Sequence, residues 1–279
     1  MMEYTTNGTT RRYEANRSSY YDGNVVKETD KYQYGCEFEF YIDTKRYDFN
    51  SAIDSITKEI YEITDVEILV DTIHLPTDDD RNQCIQIKPD ISLEDSGIEI
   101  SVPITTASGI EHYIQTICPI IEKYGYTNEQ TGFHIHISTM NNDGINFNFY
   151  KFMLLCDRAG LLSSWEPRIG YSQNVMDILS SYTKQASRKI KTKKGTIWNV
   201  EKIEANHVEV KSIGGDDYHQ KIDTILNEFA DYCRYFEETL QRDTDEHKQM
   251  YVEHKKQVQK LSKIASAEFA DALSEAGII

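Results

Sequence analysis

The sequence predicts an α+β fold in which a mainly antiparallel sheet carries helices on one face, leaves a polar face open and is followed by a helical C-terminus. Several short segments alternate strictly between apolar and polar side chains, as strands with one buried face do. Other segments repeat apolar residues at helical spacing. The two kinds are intermixed, with a hairpin, rather than arranged as regular βαβ units, which favours antiparallel pairing.

The composition indicates a folded, strongly acidic protein of 279 residues. Its 39% hydrophobic and 11% aromatic residues argue against wholesale disorder. The 46 Asp and Glu residues outnumber the 30 Lys and Arg residues, which gives a net charge of -16. Such a chain repels phosphate backbones, so coating of duplex nucleic acid is disfavoured and cations are the more natural partners.

Cysteine content and hydropathy predict a soluble, cytoplasmic protein without membrane contact. The five cysteines form no C-x-x-C motif, so neither a disulfide framework nor a thiolate zinc site is expected. The sequence has no apolar run of about 18 residues, and its N-terminus lacks the apolar core of a signal peptide. The composition is compatible with a bacterial or phage enzyme.

We expect residues 1–30 to form a flexible arm, with a late-pairing strand as the alternative, and residues 31–279 to form one domain. The arm is polar and shows no sustained period. The first clear strand is "YGCEFEFYID", residues 34–43, whose apolar side alternates with an acidic side that carries Glu37 and Glu39.

A helix, three strands and a second helix are predicted next, over residues 50–63, 66–74, 84–92, 97–103 and 107–124. Asn50 and Ser51 are possible caps of the first helix. The "EDSG" turn joins the last two strands into a hairpin. The second helix is expected to stop at Gly125 and to kink at Pro119.

Two further strands carry histidines. In "TGFHIHIS", residues 131–138, the apolar side chains share one face, and His134 and His136 share the other. In "NHVEVKSIGG", Val208 and Val210 point inward and leave a polar face opposite, with His207, Glu209 and Lys211. Between and after these strands the pattern predicts helical segments, a basic loop and C-terminal helices, over residues 146–164, 172–185, 187–195 and 217–279.

Carboxylates and imidazoles gather on the predicted polar face. Each one alone is typical of a solvated strand, a turn or a structural histidine. The carboxylates on this face are Glu37, Glu39, Asp90, Glu99 and Glu209. Together they would repel one another unless cations were bound among them. Carboxylates with one or two imidazoles suit Mg²⁺ or Mn²⁺, and Mg²⁺ on carboxylates usually also holds substrate phosphates. Nucleotide-dependent chemistry is therefore indicated.

Phosphates would have to meet side-chain cations and metals, because the sequence contains neither a P-loop nor a protein-kinase signature. The candidate cations are Arg168 in "WEPRIGYS", Lys193 or Lys194 in the basic loop, and Lys211 beside Glu209. Each of them could equally be ordinary surface charge.

Four motifs resemble the amidoligase family, a branch of the carboxylate-amine ligases that includes glutamine synthetase and glutamate-cysteine ligase. "GCEFEF" resembles the family's G-x-E-x-E strand, and "DISLEDSGIEISVP" resembles its D-x-S and G-x-E hairpin. "TGFHIHIS" is similar to its H-x-H-x-S strand, and "HVEVKSIGG" to its E-F-R segment before a glycine turn. The four motifs stand in the family's order between residues 34 and 215.

The resemblance implies a curved, funnel-like sheet with ATP and two or three Mg²⁺ or Mn²⁺ ions over its polar face. It implies that one ion, nearest the nucleotide phosphates, is held by Glu37, His134 and Glu209. It implies that an ion or ions nearer the carboxylate substrate are held by Glu39, Asp90 and Glu99.

The remaining candidate side chains are expected to contact phosphate or substrate. The resemblance assigns His136 to ATP phosphate and Arg168 to substrate or phosphate. The residues alone, rather than the resemblance, make Lys194 and Lys211 further candidate nucleotide contacts. Arg168 and Lys211 are the candidate catalytic residues. Lys211 stands where the family commonly has arginine, and a point charge there replaces a two-pronged donor.

The implied reaction is ATP-dependent ligation of a small-molecule or peptide carboxylate to an amine through an acyl phosphate. Two other functions stay open from the residues. One is amide hydrolysis by a metal-bound water at His134, His136 and Glu209. The other is a binding or structural role for a ligase-derived domain that has lost catalysis. The substrates, the general base and the oligomeric state are open.

Overall fold

A nine-stranded sheet organises the structure, a computed structural model. The strands are β1 (Thr10–Tyr13), β2 (Tyr32–Ile42), β3 (Ile68–Asp71), β4 (Ile85–Pro89), β5 (Gly97–Ser101), β6 (Gly125–Tyr126), β7 (Gly132–Thr139), β8 (Trp198–Asn199) and β9 (His207–Gly214). Their spatial order is β1-β3-β4-β5-β2-β7-β9-β8, with β6 paired to β2. The pairing is antiparallel throughout except between β3 and β4, which are parallel.

The structure describes residues 10–13, 26–27, 29–71, 83–90, 92–93, 96–140, 147–161, 165, 197–200, 202, 205–257 and 259–260. Several predicted features lie outside these residues: the helix over 172–185, the basic loop over 187–195 and the candidate cations Arg168, Lys193 and Lys194.

Helices supply the second layer of the fold. They are α1 (Phe49–Thr64), α2 (Ala107–Tyr124), α3 (Phe149–Arg158) and α4 (Ile222–Thr239), with a 3₁₀ turn at Tyr218–Gln220 and further helix over 245–257. The apolar faces of the helices and of the sheet form one core cluster. The expected α+β class, with a mostly antiparallel sheet and C-terminal helices, is confirmed.

The helix ends follow from local chemistry. α1 begins at Phe49, one residue before the predicted start at position 50, because the carboxylate of Asp48 accepts the backbone N–H of Ser51 and caps the helix. α2 stops at Gly125 as predicted, and Pro119 lies within it.

Strand alternation places the apolar and polar faces as the sequence predicts. The apolar side of the three longest strands is fully buried: Cys36, Phe38, Phe40, Phe133, Ile135, Ile137, Val208 and Val210. β4 and β5 pair as the predicted hairpin. Within the predicted N-terminal arm, β1 pairs antiparallel with β3 and extends the sheet. The face opposite the core therefore presents the polar side chains of β4, β5, β2, β7 and β9.

All five cysteines are free thiols, four of them buried. Within the described part of the chain, no helix combines the length and hydropathy needed to cross a membrane.

Candidate metal centre

Adjacent strands bring the predicted carboxylates and imidazoles together. β2 lies between β5 and β7, and β9 pairs with the far side of β7. The register places Glu37 opposite His134, Glu39 opposite Glu99, and His136 opposite Glu209. The sequence shows that each residue points to the polar side of its own strand, but the pairing of the strands makes them neighbours.

His134 is the buried centre of the carboxylate group, with 3% of its surface exposed. Its Nδ1 lies 3.0 Å from Glu37 Oε2, and its Nε2 lies 3.2 Å from Glu39 Oε1. Nδ1 is also 3.6 Å from Glu209 Oε1. Because both ring nitrogens face carboxylates, His134 holds these acids together.

His136 differs from His134 in the contacts of its Nε2 atom. Its Nε2 is buried, has no hydrogen-bond partner among the residues that the structure describes and lies 3.4 Å from Glu37 Oε1. Ligand atoms of Glu37, His136 and Glu209 all lie within 4.8 Å of one another. Two carboxylates and one imidazole form a donor set that suits Mg²⁺ or Mn²⁺, so these residues fit such an ion.

Two polar neighbours orient Glu209. Asn199 Nδ2 donates to Glu209 Oε2 at 2.7 Å, and Lys211 Nζ lies 2.8 Å from Glu209 Oε1. Asn199 stands opposite Glu209 in the register of β8 and β9. Lys211 therefore lies beside Glu209 and supplies its counter-charge, while the expected contact of Lys211 with nucleotide stays a prediction.

Glu99 has a partner that the sequence analysis missed. Lys88 Nζ lies 2.9 Å from Glu99 Oε1, and the lysine is 5% exposed. Ser101 Oγ donates to the same oxygen at 2.5 Å. Lys88 and Lys211 therefore supply part of the positive charge that the acidic face was expected to take from metal ions.

Asp90 lies at the turn after β4. Its Oδ1 accepts the backbone N–H of Ser92 at 2.7 Å, as an Asx-type turn does. Neither Asp90 nor Glu39 nor Glu99 belongs to the group of ligand atoms formed by Glu37, His136 and Glu209 among the described residues.

The electrostatics favour charged forms at the three-residue group. Burial by itself raises the pKa of Glu37, but the charge of His136, together with the hydrogen bond and charge of His134, outweighs it and holds that pKa well below its usual range. Burial opposes ionisation of Glu209 in the same way, yet His136, His134 and Lys211 lower its pKa. Burial lowers the pKa of His136, but Glu37 and Glu209 raise it overall.

The pKa values of two groups around this centre are shifted in the direction that stabilises the neutral form. Burial, followed by the charge of Glu37, raises the pKa of Glu99 to about 7, although Lys88 opposes the shift. Burial, followed by the charges of His136 and Lys202, lowers the pKa of His207 to about 4. His207 is therefore a neutral imidazole at physiological pH.

A cavity of about 540 Å³ lies beside the centre. Its polar wall includes Glu37, His136, His207 and Lys202, and its apolar wall includes Tyr34 and Val102. The volume falls within the range of about 300–1,000 Å³ that is usual for small-molecule sites. The cavity gives a ligand access to His136 and Glu37.

Four residues of the site had no predicted role, and the sequence pattern indicates the position of only two of them. Lys88 shares the polar side of "IQIK" with Gln86, so alternation alone places it on this face. His207 shares a side with Glu209 in the same way. Asn199 and Lys202 carry no comparable signal, because β8 has only two residues and Lys202 lies in a turn.

The fold and the site define an α+β protein with a candidate metal centre on the polar face of a mostly antiparallel sheet. No protein-family model matches the sequence, and a search of curated proteins finds no significant match. The amidoligase resemblance therefore rests on the four sequence motifs alone.

Proposed function

We propose that this protein is an ATP- and Mg²⁺-dependent carboxylate-amine ligase of the amidoligase type, with the curved ligase-like sheet that such enzymes have. One observation carries the proposal: ligand atoms of Glu37, His136 and Glu209 lie within 4.8 Å of one another beside a cavity of small-molecule size. The motifs that supply these residues are the ones that resemble the family.

The residues suited to hold the ion nearest the phosphates are Glu37, His136 and Glu209. The family resemblance puts His134 in the place of His136. The contacts favour His136, because both nitrogens of His134 already face carboxylates. When bound, Mg²⁺ or Mn²⁺ neutralises charge on the transferred phosphoryl group.

Side-chain cations support nucleotide binding at the same place. Lys211 lies against Glu209, and Lys202 lines the cavity next to His207. Both supply positive charge for phosphate oxygens in an otherwise acidic protein. Arg168 and Lys194 enter the proposal through the sequence alone.

The proposed reaction has two steps. A substrate carboxylate oxygen attacks the γ-phosphorus of ATP, the bond to the β-phosphate oxygen breaks, and ADP leaves. The nitrogen of an amine then attacks the acyl carbon, loses a proton and displaces inorganic phosphate, which leaves an amide. Glu37 and Glu209 contribute by holding charge in place, since pre-oriented charges stabilise the transferring phosphoryl group.

The test is phosphate release from ATP with Mg²⁺ and pools of amino acids, peptides and polyamines, followed by mass spectrometry of the amide product. We expect Glu37→Gln and Glu209→Gln each to lower turnover by at least about tenfold, as changes in metal shells do. Glu62→Gln is the matched control, because this exposed glutamate on α1 pairs only loosely with Lys58, at 3.8 Å.

Three outcomes would contradict the proposal. Full turnover in both Glu37→Gln and Glu209→Gln would show that the metal centre takes no part in the reaction. Amide hydrolysis that needs no ATP would indicate a hydrolase. If calorimetry detects no ATP binding, either in the presence or in the absence of Mg²⁺, a binding or structural role would be indicated.

A further inference from the structure

Two imidazoles from neighbouring strands meet at the wall of the cavity. Nδ1 of His136 lies 3.3 Å from Nε2 of His207, and the ring centroids are 5.4 Å apart. The two residues stand on β7 and β9, where His207 is opposite Ser138 and His136 is opposite Glu209. Because β7 and β9 are paired, the sheet holds the two imidazole rings close to each other.

We propose that His136 Nδ1 and His207 Nε2 form a binding site for a divalent transition-metal ion such as Zn²⁺ or Co²⁺. Two nitrogens bound to zinc at about 2.0–2.1 Å and at a tetrahedral angle lie about 3.3–3.4 Å apart. The observed separation of 3.3 Å matches this spacing without movement of either strand. Imidazole nitrogens select such ions over Mg²⁺, which prefers oxygen ligands.

The surroundings supply what a two-histidine site needs. Both residues line the cavity, and 27% of the His136 side chain is exposed, so water or a substrate group can complete the coordination. The carboxylates of Glu37 and Glu209 add negative charge around both rings, and Lys211 opposes this charge at His136 as Lys202 does at His207.

The other nitrogen of His136 also fits this arrangement. A neutral imidazole has one free lone pair, so an ion on Nδ1 leaves the proton on Nε2. That N–H then faces Glu37, with Nε2 3.4 Å from Oε1, which is the carboxylate–histidine–metal pattern that orients metal-binding histidines. An ion at the histidine pair and an ion that uses His136 Nε2 thus exclude each other.

The inference uses the candidate centre but does not depend on the ligase reaction. It is tested on the full chain without nucleotide, by calorimetry with Zn²⁺ and by the visible absorption of bound Co²⁺. We expect His207→Ala and His207→Gln each to weaken binding by about tenfold or more, because they remove a ligand rather than an outer-shell group. His112→Ala is the control, since this α2 histidine contacts the hydroxyl of Thr116 instead.

A second measurement needs no variant of the site. Zn²⁺ should protect His136 and His207 of the wild-type chain from diethyl pyrocarbonate and leave His112 reactive. Unchanged Zn²⁺ affinity in both His207 variants, or equal modification of His207 with and without Zn²⁺, would overturn the inference and leave an ordinary imidazole–imidazole hydrogen bond. Zn²⁺ binding without ATP turnover would refute the ligase proposal alone, and Mg²⁺-ATP turnover without Zn²⁺ binding would refute this inference alone.

Discussion

Replacement of His134 by phenylalanine tests whether this imidazole holds the acidic face together. The side chain is 3% exposed, and its nitrogens lie 3.0 Å from Glu37 and 3.2 Å from Glu39. Phenylalanine keeps a ring of similar size and removes both nitrogens. The substitution therefore isolates the polar contacts from the packing.

The contacts set the magnitude. Nδ1 makes a hydrogen bond to Glu37, and a hydrogen bond to a charged group contributes about 1.5–3 kcal/mol, so its loss predicts a comparable decrease in the free energy of unfolding. Nε2 also loses its 3.2 Å contact with Glu39, which places the expected value near the upper end of this range, about 3 kcal/mol. Domains of ordinary stability have about 5–15 kcal/mol in total, so the effect is large.

The assay is urea unfolding at neutral pH, followed by circular dichroism. His112→Phe is the matched control, because its ring nitrogen lies 3.2 Å from the hydroxyl of Thr116 rather than against a carboxylate. The control is expected to lose about 1 kcal/mol or less. If His134→Phe also stays within about 1 kcal/mol of the wild type, the bridging role assigned to His134 is wrong.

Three further variants separate the roles of other residues. His136→Phe is expected to lower Mn²⁺ affinity by about tenfold or more, because it removes a ligand. Glu99→Gln is expected to leave that affinity within about threefold, because Lys88 rather than a metal ion faces Glu99 at 2.9 Å. Lys151→Met is expected to lower the free energy of unfolding by about 2–4 kcal/mol, since the fully buried ammonium donates to the carbonyl of Glu238 at 2.9 Å.

Calorimetric Mn²⁺ titrations check the first two variants, and urea unfolding checks the third. Tenfold weaker binding in Glu99→Gln would place Glu99 among the ligands, as the family resemblance implies. Unchanged binding in His136→Phe, together with weaker binding in His134→Phe, would restore His134 as the ligand. A Lys151→Met protein as stable as the wild type would show that α4 needs no lysine at its C-terminal end.

Much of the fold was predictable because its signals are local. Strict alternation in residues 34–43 and 131–138 identified β2 and β7, with the buried side of each, since successive side chains of a strand point to opposite faces. Isoleucines at helical spacing identified α1 and α2. The cap at Asp48 was missed, because Asn50 and Ser51 are equally good capping residues and only the chain path selects among them.

The candidate site was predictable as a set of residues on one face, but not as a geometry. The sequence placed Glu37, His134, His136 and Glu209 on the polar side of three strands. It gave no information on which imidazole would meet which carboxylate, because that depends on strand order and register. Lys88 was overlooked as a counter-charge for the same reason.

The sequence by itself determined the α+β class, the two faces of the sheet and the acidic, imidazole-bearing character of one of them. These properties follow from side-chain period and composition, which act within one strand or helix. The tertiary structure decided that His134 is enclosed by carboxylates while His136 faces a cavity beside Glu37 and His207. Contacts between strands far apart in sequence exist only after the sheet assembles, so no local pattern could have assigned these two histidines.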